Sequence, residues 1–358
     1  MKANYVHKRD TGIDILRGIA ILIMLGANVL GYVTSCDLHP LWFNILSSIA
    51  APLFIMLSGY MAAHNAAGKN RGLNYYLIRG GMLLLTGILV DAFIWRIIPG
   101  ASFDVLYLIG LSLPLIYIIR KESLKTRAVY MGLVLLIAFA LQRLCPYAEY
   151  PVEIEYGTGR VDLSEYTAVN ALRGIFLDGW FPVFPWIAMA VAGSIFASIR
   201  PRMAKGFADR RIVLSGAVAM IAGFAGVYIF YSAEAPFDLL MHRDPYGEIF
   251  YPATPLFIMG GMGACILLTA LVDATRNSRL WTPLTIMGQA SLFNYILHLA
   301  IISYLIYPAF DGNKQPLSTG WLVYAALTAV CLAASLGVSA MKKKVKSKNF
   351  YYKFYFGG

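Results

Sequence analysis

The sequence predicts an all-α polytopic membrane protein, a bundle of about ten transmembrane helices, and three observations carry that expectation. Of 358 residues, 59% are hydrophobic and 14% are charged, whereas a soluble domain carries roughly a quarter charged residues. Apolar runs of about 20 residues recur along the chain, the length at which a helix crosses a hydrocarbon core. Lys and Arg collect on alternate loops, the bias that orients such bundles.

The first span, 13–32, reads "IDILRGIAILIMLGANVLGY". It is too long for the apolar region of a cleaved signal and has no small-residue cleavage site, so it anchors the chain. Spans 43–63 and 75–95 flank a polar loop holding Lys69 and Arg71. Spans 104–119 and 128–145 flank 120–127, with Arg120, Lys121, Lys125 and Arg127. The next, 180–199, has a Pro-broken start, "LDGWFPVFPWIAMAVAG", in which Asp178 is placed to cap the helix. Spans 212–232, 253–272, 283–308 and 321–340 complete the set, and "KKKVKSK" at 342–348 follows the last. One transmembrane domain, 1–340, and a basic cytoplasmic tail, 341–358, result.

The N-terminus, 64–74, 120–127, 200–211, 273–281 and the tail hold 22 of the 30 Lys and Arg residues. The intervening loops hold Arg96, Arg160, Arg173, Arg243 and Lys314, together with most of the acids. Both termini are thus expected in the cytoplasm. The net charge of +11 is a topology signal and no nucleic acid partner is needed to explain it; the Lys run lies against anionic lipid. Cys265 and Cys331 fall within spans, Cys36 and Cys145 lie near the outer face where pairing is open to them, and no Cys/His cluster suggests a metal. Two outer loops, 146–179 and 233–252, are long, acidic and Tyr-rich. They suit either a polar acceptor such as a sugar or a lid that seals the bundle. No internal repeat is found, which counts against transporters built from repeated halves.

Strongly polar groups in hydrocarbon are costly unless satisfied, so each marks a candidate site. At about 100° per residue, Asp14, Arg17 and Asn28 share one face of the first span, with the amide roughly 16 Å deeper than Arg17. Asp14 and Arg17 read as an ion pair at the cytoplasmic mouth, either snorkelling or functional, and Asn28 as helix glue or site. The ninth span carries Gln289, Ser291, Asn294 and His298, and its direction brings His298 to the depth of Asn28. His39 stands in a short loop beyond Asn28, and its side chain is the one whose ordinary pKa suits proton transfer near neutrality. Asp91, beside Trp95 and Arg96, reads as an interface ion pair.

Five features occur in order: "GIDILRGIAILIMLGAN", the eleven-residue step from Asn28 to His39, "APLFIMLSGY" at 51–60, "FPVFPW" at 181–186 and "SLFNYILH" at 291–298. Together they resemble the heparan-α-glucosaminide N-acetyltransferase family and its bacterial relatives, within the transmembrane acyl-CoA transferases. The resemblance implies a multi-pass acyltransferase in a bacterial inner (cell) membrane. It would move acetyl from cytosolic acetyl-CoA, a co-substrate, to an amino sugar or other amine or hydroxyl acceptor outside. It implies His39 and Asn28 as catalytic, with Arg17 at the cytoplasmic end of the same helix. Around that frame, Asp14, Arg17, Arg79, Arg120 and Lys121, with Arg127, are expected to meet the donor, and His298, Asn294 and Asp178 to support the site or bind the acceptor. Metal is not expected. O-acylation of a cell-envelope glycan and small-solute transport stay open, as does oligomeric state, a homodimer included.

Overall fold

The computed structural model describes residues 9–68, 71–100, 102–145, 167–231, 253–310, 312–345 and 349–357. Of the described residues, 85% are helical and none lies in a strand. Nine helices there are long and apolar enough to cross a membrane, and a tenth, shorter and apolar, spans Val105–Ile119. The protein is an integral multi-pass membrane protein with the expected all-α architecture.

The helices are α1 Thr11–Val33, α2 Leu41–Ser47, α3 Ala50–Gly68, α4 Leu73–Leu89, α5 Val105–Ile119, α6 Leu124–Leu144 and the short α7 Ala168–Arg173. They continue as α8 Val183–Ile199, α9 Arg210–Tyr231, α10 Pro255–Thr275, α11 Thr282–Gln289, α12 Ser291–Ile301, α13 Tyr307–Phe310, α14 Leu317–Val345 and α15 Phe350–Phe356. α1 runs through the centre, against α3, α11, α12 and α14. α3 packs along α8, α4 along α5, and α9 along α10. α6 and α9 turn most of their surface outward, as helices facing lipid do.

The crossing of α1 with α11 sets the register of the polar residues. A Cβ on Gly18 would stand 2.0 Å from the Leu284 carbonyl oxygen, and one on Gly288 1.8 Å from that of Asp14. Only glycine lets the two backbones approach so closely, the device by which small residues pack membrane helices. Two expected spans are broken helices. The Ser47 and Ser48 hydroxyls both donate to the Asn44 carbonyl, at 3.0 and 2.6 Å, a local alternative to helical bonding that separates α2 from α3. Ala290 leaves helical geometry between α11 and α12 (φ −123°, ψ 32°), and the Met287 carbonyl accepts from both the Ala290 N–H and the Asn294 side chain, each at 3.1 Å.

Asp178 does not cap α8 as expected. Pro182 occupies that position, and Asp178 is bound by Arg173 at 2.6 Å, across the π turn Gly174–Asp178 that follows α7. The end of the chain is more structured than a tail: α14 runs on to Val345, and α15 folds back against the bundle.

Candidate functional site

A cavity of about 1260 Å³ runs along α1, lined at one extreme by Arg9, Asp14 and Arg17 and at the other by Asn28 and Tyr32. Asp14 to Tyr32 is eighteen residues, about 27 Å of helix rise, close to the thickness of a hydrocarbon core. The cavity therefore extends along nearly the whole length of a membrane-spanning helix. It exceeds the usual size of a small-ligand pocket, roughly 300–1,000 Å³.

Asn28 lies deep in this cavity, and His298 is fully buried behind it. The Asn28 amide nitrogen is 2.9 Å from His298 Nε2. The matching depth read from two separate spans is thus a direct contact. The ring's other nitrogen, Nδ1, is 2.9 Å from the Asn294 carbonyl. A carbonyl only accepts, so Nδ1 carries the hydrogen and, in the neutral ring, Nε2 accepts from Asn28. One amide N–H of Asn28 is thereby held in place, leaving its second N–H and its oxygen for the cavity.

His39 is not among the residues that line the cavity. Its Nε2 is 2.8 Å from the Thr34 hydroxyl, which itself donates to the Leu30 carbonyl at 2.9 Å. Thr34 has one hydrogen to give, so His39 Nε2 donates and Nδ1 keeps its lone pair. Burial holds this imidazole below its ordinary pKa against an opposing pull from the Leu30 carbonyl, and the Lys314 charge adds a smaller push downward. Lys314 donates to the Gly31 carbonyl at 2.8 Å, satisfying the end of α1. Phe43 stands edge-on to the His39 ring, with centroids 5.9 Å apart.

The remaining expected site residues divide. Asp14 lines the cavity, but its ion pair is with Arg9, at 2.5 Å, in place of the expected Arg17. Arg17 instead donates to the Ser291 hydroxyl across the α1–α12 contact. Arg79 lines the cavity and donates to the Tyr75 hydroxyl at 3.1 Å. Arg120 and Lys121 are not in the lining; Arg120 lies 3.5 Å over the Tyr117 ring, and Lys121 is exposed. Arg127 is used inside the bundle, donating to the Ser194 carbonyl at 2.6 Å. Asn294 is fully buried and joins α12 to α14 through Ser335, at 2.8 Å. Asp91, expected in an interface ion pair, accepts from the Tyr107 hydroxyl at 2.6 Å and the Gly100 amide at 2.9 Å. Its neighbour Arg96 lies over the Tyr304 ring. No disulfide joins Cys36 and Cys145.

Several groups in this region carry no sequence signal strong enough to single them out. Arg200, expected only as a topology charge, is a buried hub. It pairs with Asp273 at 2.6 Å and Asp10 at 2.5 Å, and donates to the Tyr60 hydroxyl at 3.1 Å. Burial pushes the Asp10 carboxyl up, but the adjacent guanidinium more than offsets this and holds it below the usual carboxylate range. Asp104 accepts at 2.8 Å from the hydroxyl of Tyr295, whose ring stands edge-on to that of His298, and both Asp104 and Tyr295 line the cavity. At the far end Tyr32 stacks on Trp95, with centroids 5.8 Å apart. The bulk of both Tyr-rich loops, 146–166 and 232–252, lies outside the described residues.

Arranged along one path are a basic mouth, a deep amide held by a neutral imidazole, and an aromatic far end. No curated protein matches the chain. A family described as a protein of unknown function (DUF418) matches residues 202–343. The catalytic region of heparan-alpha-glucosaminide N-acetyltransferase matches residues 9–229, which hold Asn28, His39 and most of the cavity wall. That match covers more than half of the chain, so the protein belongs to the heparan-alpha-glucosaminide N-acetyltransferase family, a family of transmembrane acetyltransferases.

Proposed function

We propose that the protein transfers an acetyl group from acetyl-CoA, bound at the basic end of the cavity, to an amine or hydroxyl acceptor bound at the far end. The observation that carries this reading is the continuity of the cavity from Arg17 to Asn28 and on to Tyr32. A donor whose phosphates rest on Arg17 and Arg79 extends its thioester about 16 Å along α1 to reach Asn28. Arg–phosphate contacts are among the stronger charge-assisted hydrogen bonds.

In this reading the unshared N–H of Asn28 donates to the thioester carbonyl as the acceptor attacks and the oxygen gains charge. Such a donor contributes about 3 kcal/mol. His298 acts through Asn28 as a positioning residue. His39 stands at the level of Thr34, six residues and about 9 Å beyond Asn28 along the helix. The acceptor lies between them, and the His39 Nδ1 lone pair takes its proton. The carbon–sulfur bond breaks as the new carbon–nitrogen or carbon–oxygen bond forms, and CoA leaves as the thiol once a proton returns to sulfur. The basic mouth faces the cytoplasm and the aromatic end the opposite side, in accordance with the Lys and Arg bias.

The test is acetyl transfer by purified protein with glucosamine as trial acceptor, wild type beside Asn28→Ala and His39→Ala. The reading requires turnover that falls in both variants while CoA still raises the unfolding temperature. Failure of CoA to bind wild-type protein would sink it, and the same continuous cavity would then be read as a permeation route.

A further inference from the structure

The basic mouth is completed by α15, which lies beyond both matched regions. Besides Arg9, which Asp14 neutralises, four cations line it, Arg17, Arg71, Arg79 and Lys353, and none of the four forms an ion pair with a carboxylate among the described residues. Asp10 and Asp14, the nearest acids, are taken by Arg200 and Arg9. Excess positive charge converging on a cavity is the arrangement expected for a polyanion. A second observation points to a missing ligand. The Tyr76 hydroxyl faces the same mouth, on a residue 2% exposed, and has no hydrogen-bond partner among the described residues, although a buried hydroxyl ordinarily finds one.

α15 is built into this mouth as a wall. Phe354 is 3% exposed and belongs to the main apolar core, with the Arg79 guanidinium 5.3 Å above its ring. The Tyr355 hydroxyl is 3.3 Å from that of Thr86 on α4. Gly357 has φ +80°, and a Cβ there would come within 2.1 Å of the Gln289 carbonyl oxygen. With Phe354 anchored inward, Lys353 is left exposed on the cavity lining, and Phe350 meets the Tyr75 ring edge-on.

We propose that α15 forms part of the donor-binding site, Lys353 binding a phosphate group of a CoA-type donor and Phe350, braced edge-on by Tyr75, offering its ring to the base. This rests on the acetyl-CoA reading above and adds a donor contact from outside the matched catalytic region. The alternative, a plug that shuts the mouth, is disfavoured because the cavity stays continuous past α15.

The experiment measures binding of coenzyme A and of adenosine 3′,5′-bisphosphate to the full chain, to Lys353→Gln and to a variant lacking 349–358, with KM and kcat for acetyl-CoA alongside. Lys353→Gln leaves Phe354 and Tyr355 in place, so it reports on the charge even if the deletion fails to fold. Loss of one charge-assisted contact is expected to weaken both ligands about tenfold and raise KM with little change in kcat. Unchanged affinity in Lys353→Gln overturns this inference alone. Tighter binding or faster turnover on deletion also overturns it, making α15 a plug. Wild-type protein that binds neither ligand overturns this inference and the donor reading together.

Discussion

His298 and His39 are both neutral imidazoles bound to side chains of α1 or its C-cap, Asn28 and Thr34, yet they are held by opposite nitrogens. His298 donates from Nδ1 to a carbonyl of its own helix and accepts at Nε2 from Asn28. His39 donates from Nε2 to Thr34 and keeps Nδ1 open. The first has both nitrogens committed inside the bundle, so its chemistry is spent on holding an amide. The second has one nitrogen left to act on something else. The contrast shows how one side-chain type serves as scaffold or as proton acceptor according to which of its nitrogens the neighbouring groups claim.

The largest expected effect tests the open nitrogen. His39→Ala lowers the transfer rate about 10² to 10⁴-fold if Nδ1 is the general base, with CoA affinity preserved; a rate within a factor of a few of wild type would remove His39 from the chemistry. Asn28→Ala comes next, with kcat down about 10² to 10³-fold through loss of one carbonyl donor.

Replacing the scaffold ring should do less to the chemistry. His298→Ala frees the amide to rotate and lowers kcat about tenfold, one missing hydrogen bond's worth. It leaves the pH profile unmoved, and a shifted profile would mean that His298 itself titrates in turnover. The pH dependence of His39 sharpens the comparison further. Burial holds the folded imidazole below its ordinary value, so on acidification the unfolded chain takes up a proton first, near pH 6.5. Stability is therefore complete above about pH 6.5 and falls below it until the folded ring also protonates. The slope should be shallower in His39→Gln than in wild type, as read by thermal unfolding at pH 7.5 and 5.5, the remainder belonging to other buried groups such as His298.

A control leaves both histidines intact. Asp273→Ala strips the buried Arg200 of one carboxylate and destabilises the fold by about 3 kcal/mol or more, as breaking a buried pair does. If purified protein melts as the wild type does, the Arg200 hub contributes little to holding α1, α3 and α10 together.

What the sequence by itself determines is what a helix determines locally. Span number and length follow from apolar runs, because a helix rises a fixed amount per residue across a hydrocarbon core of fixed thickness. The same rise placed Asn28 and His298 at one depth without any knowledge of the fold. The ordered motifs likewise suffice to identify the family.

Which polar groups meet was decided by the tertiary structure. Asp14 pairs with Arg9, and Arg17 reaches Ser291, because the glycine crossing of α1 on α11 brings α12 alongside. The Ser47/Ser48 bonds break a span whose composition reads as continuous. Arg200 looks like any loop arginine until its helix end meets Asp10 and Asp273. Residues 350–356 read as part of a basic tail because the Lys run at 342–348 precedes them; their aromatic side chains find a core only once α4 and α12 have assembled. Periodicity is encoded within each helix, whereas contacts between helices depend on backbone approach and loop path, which no single segment carries.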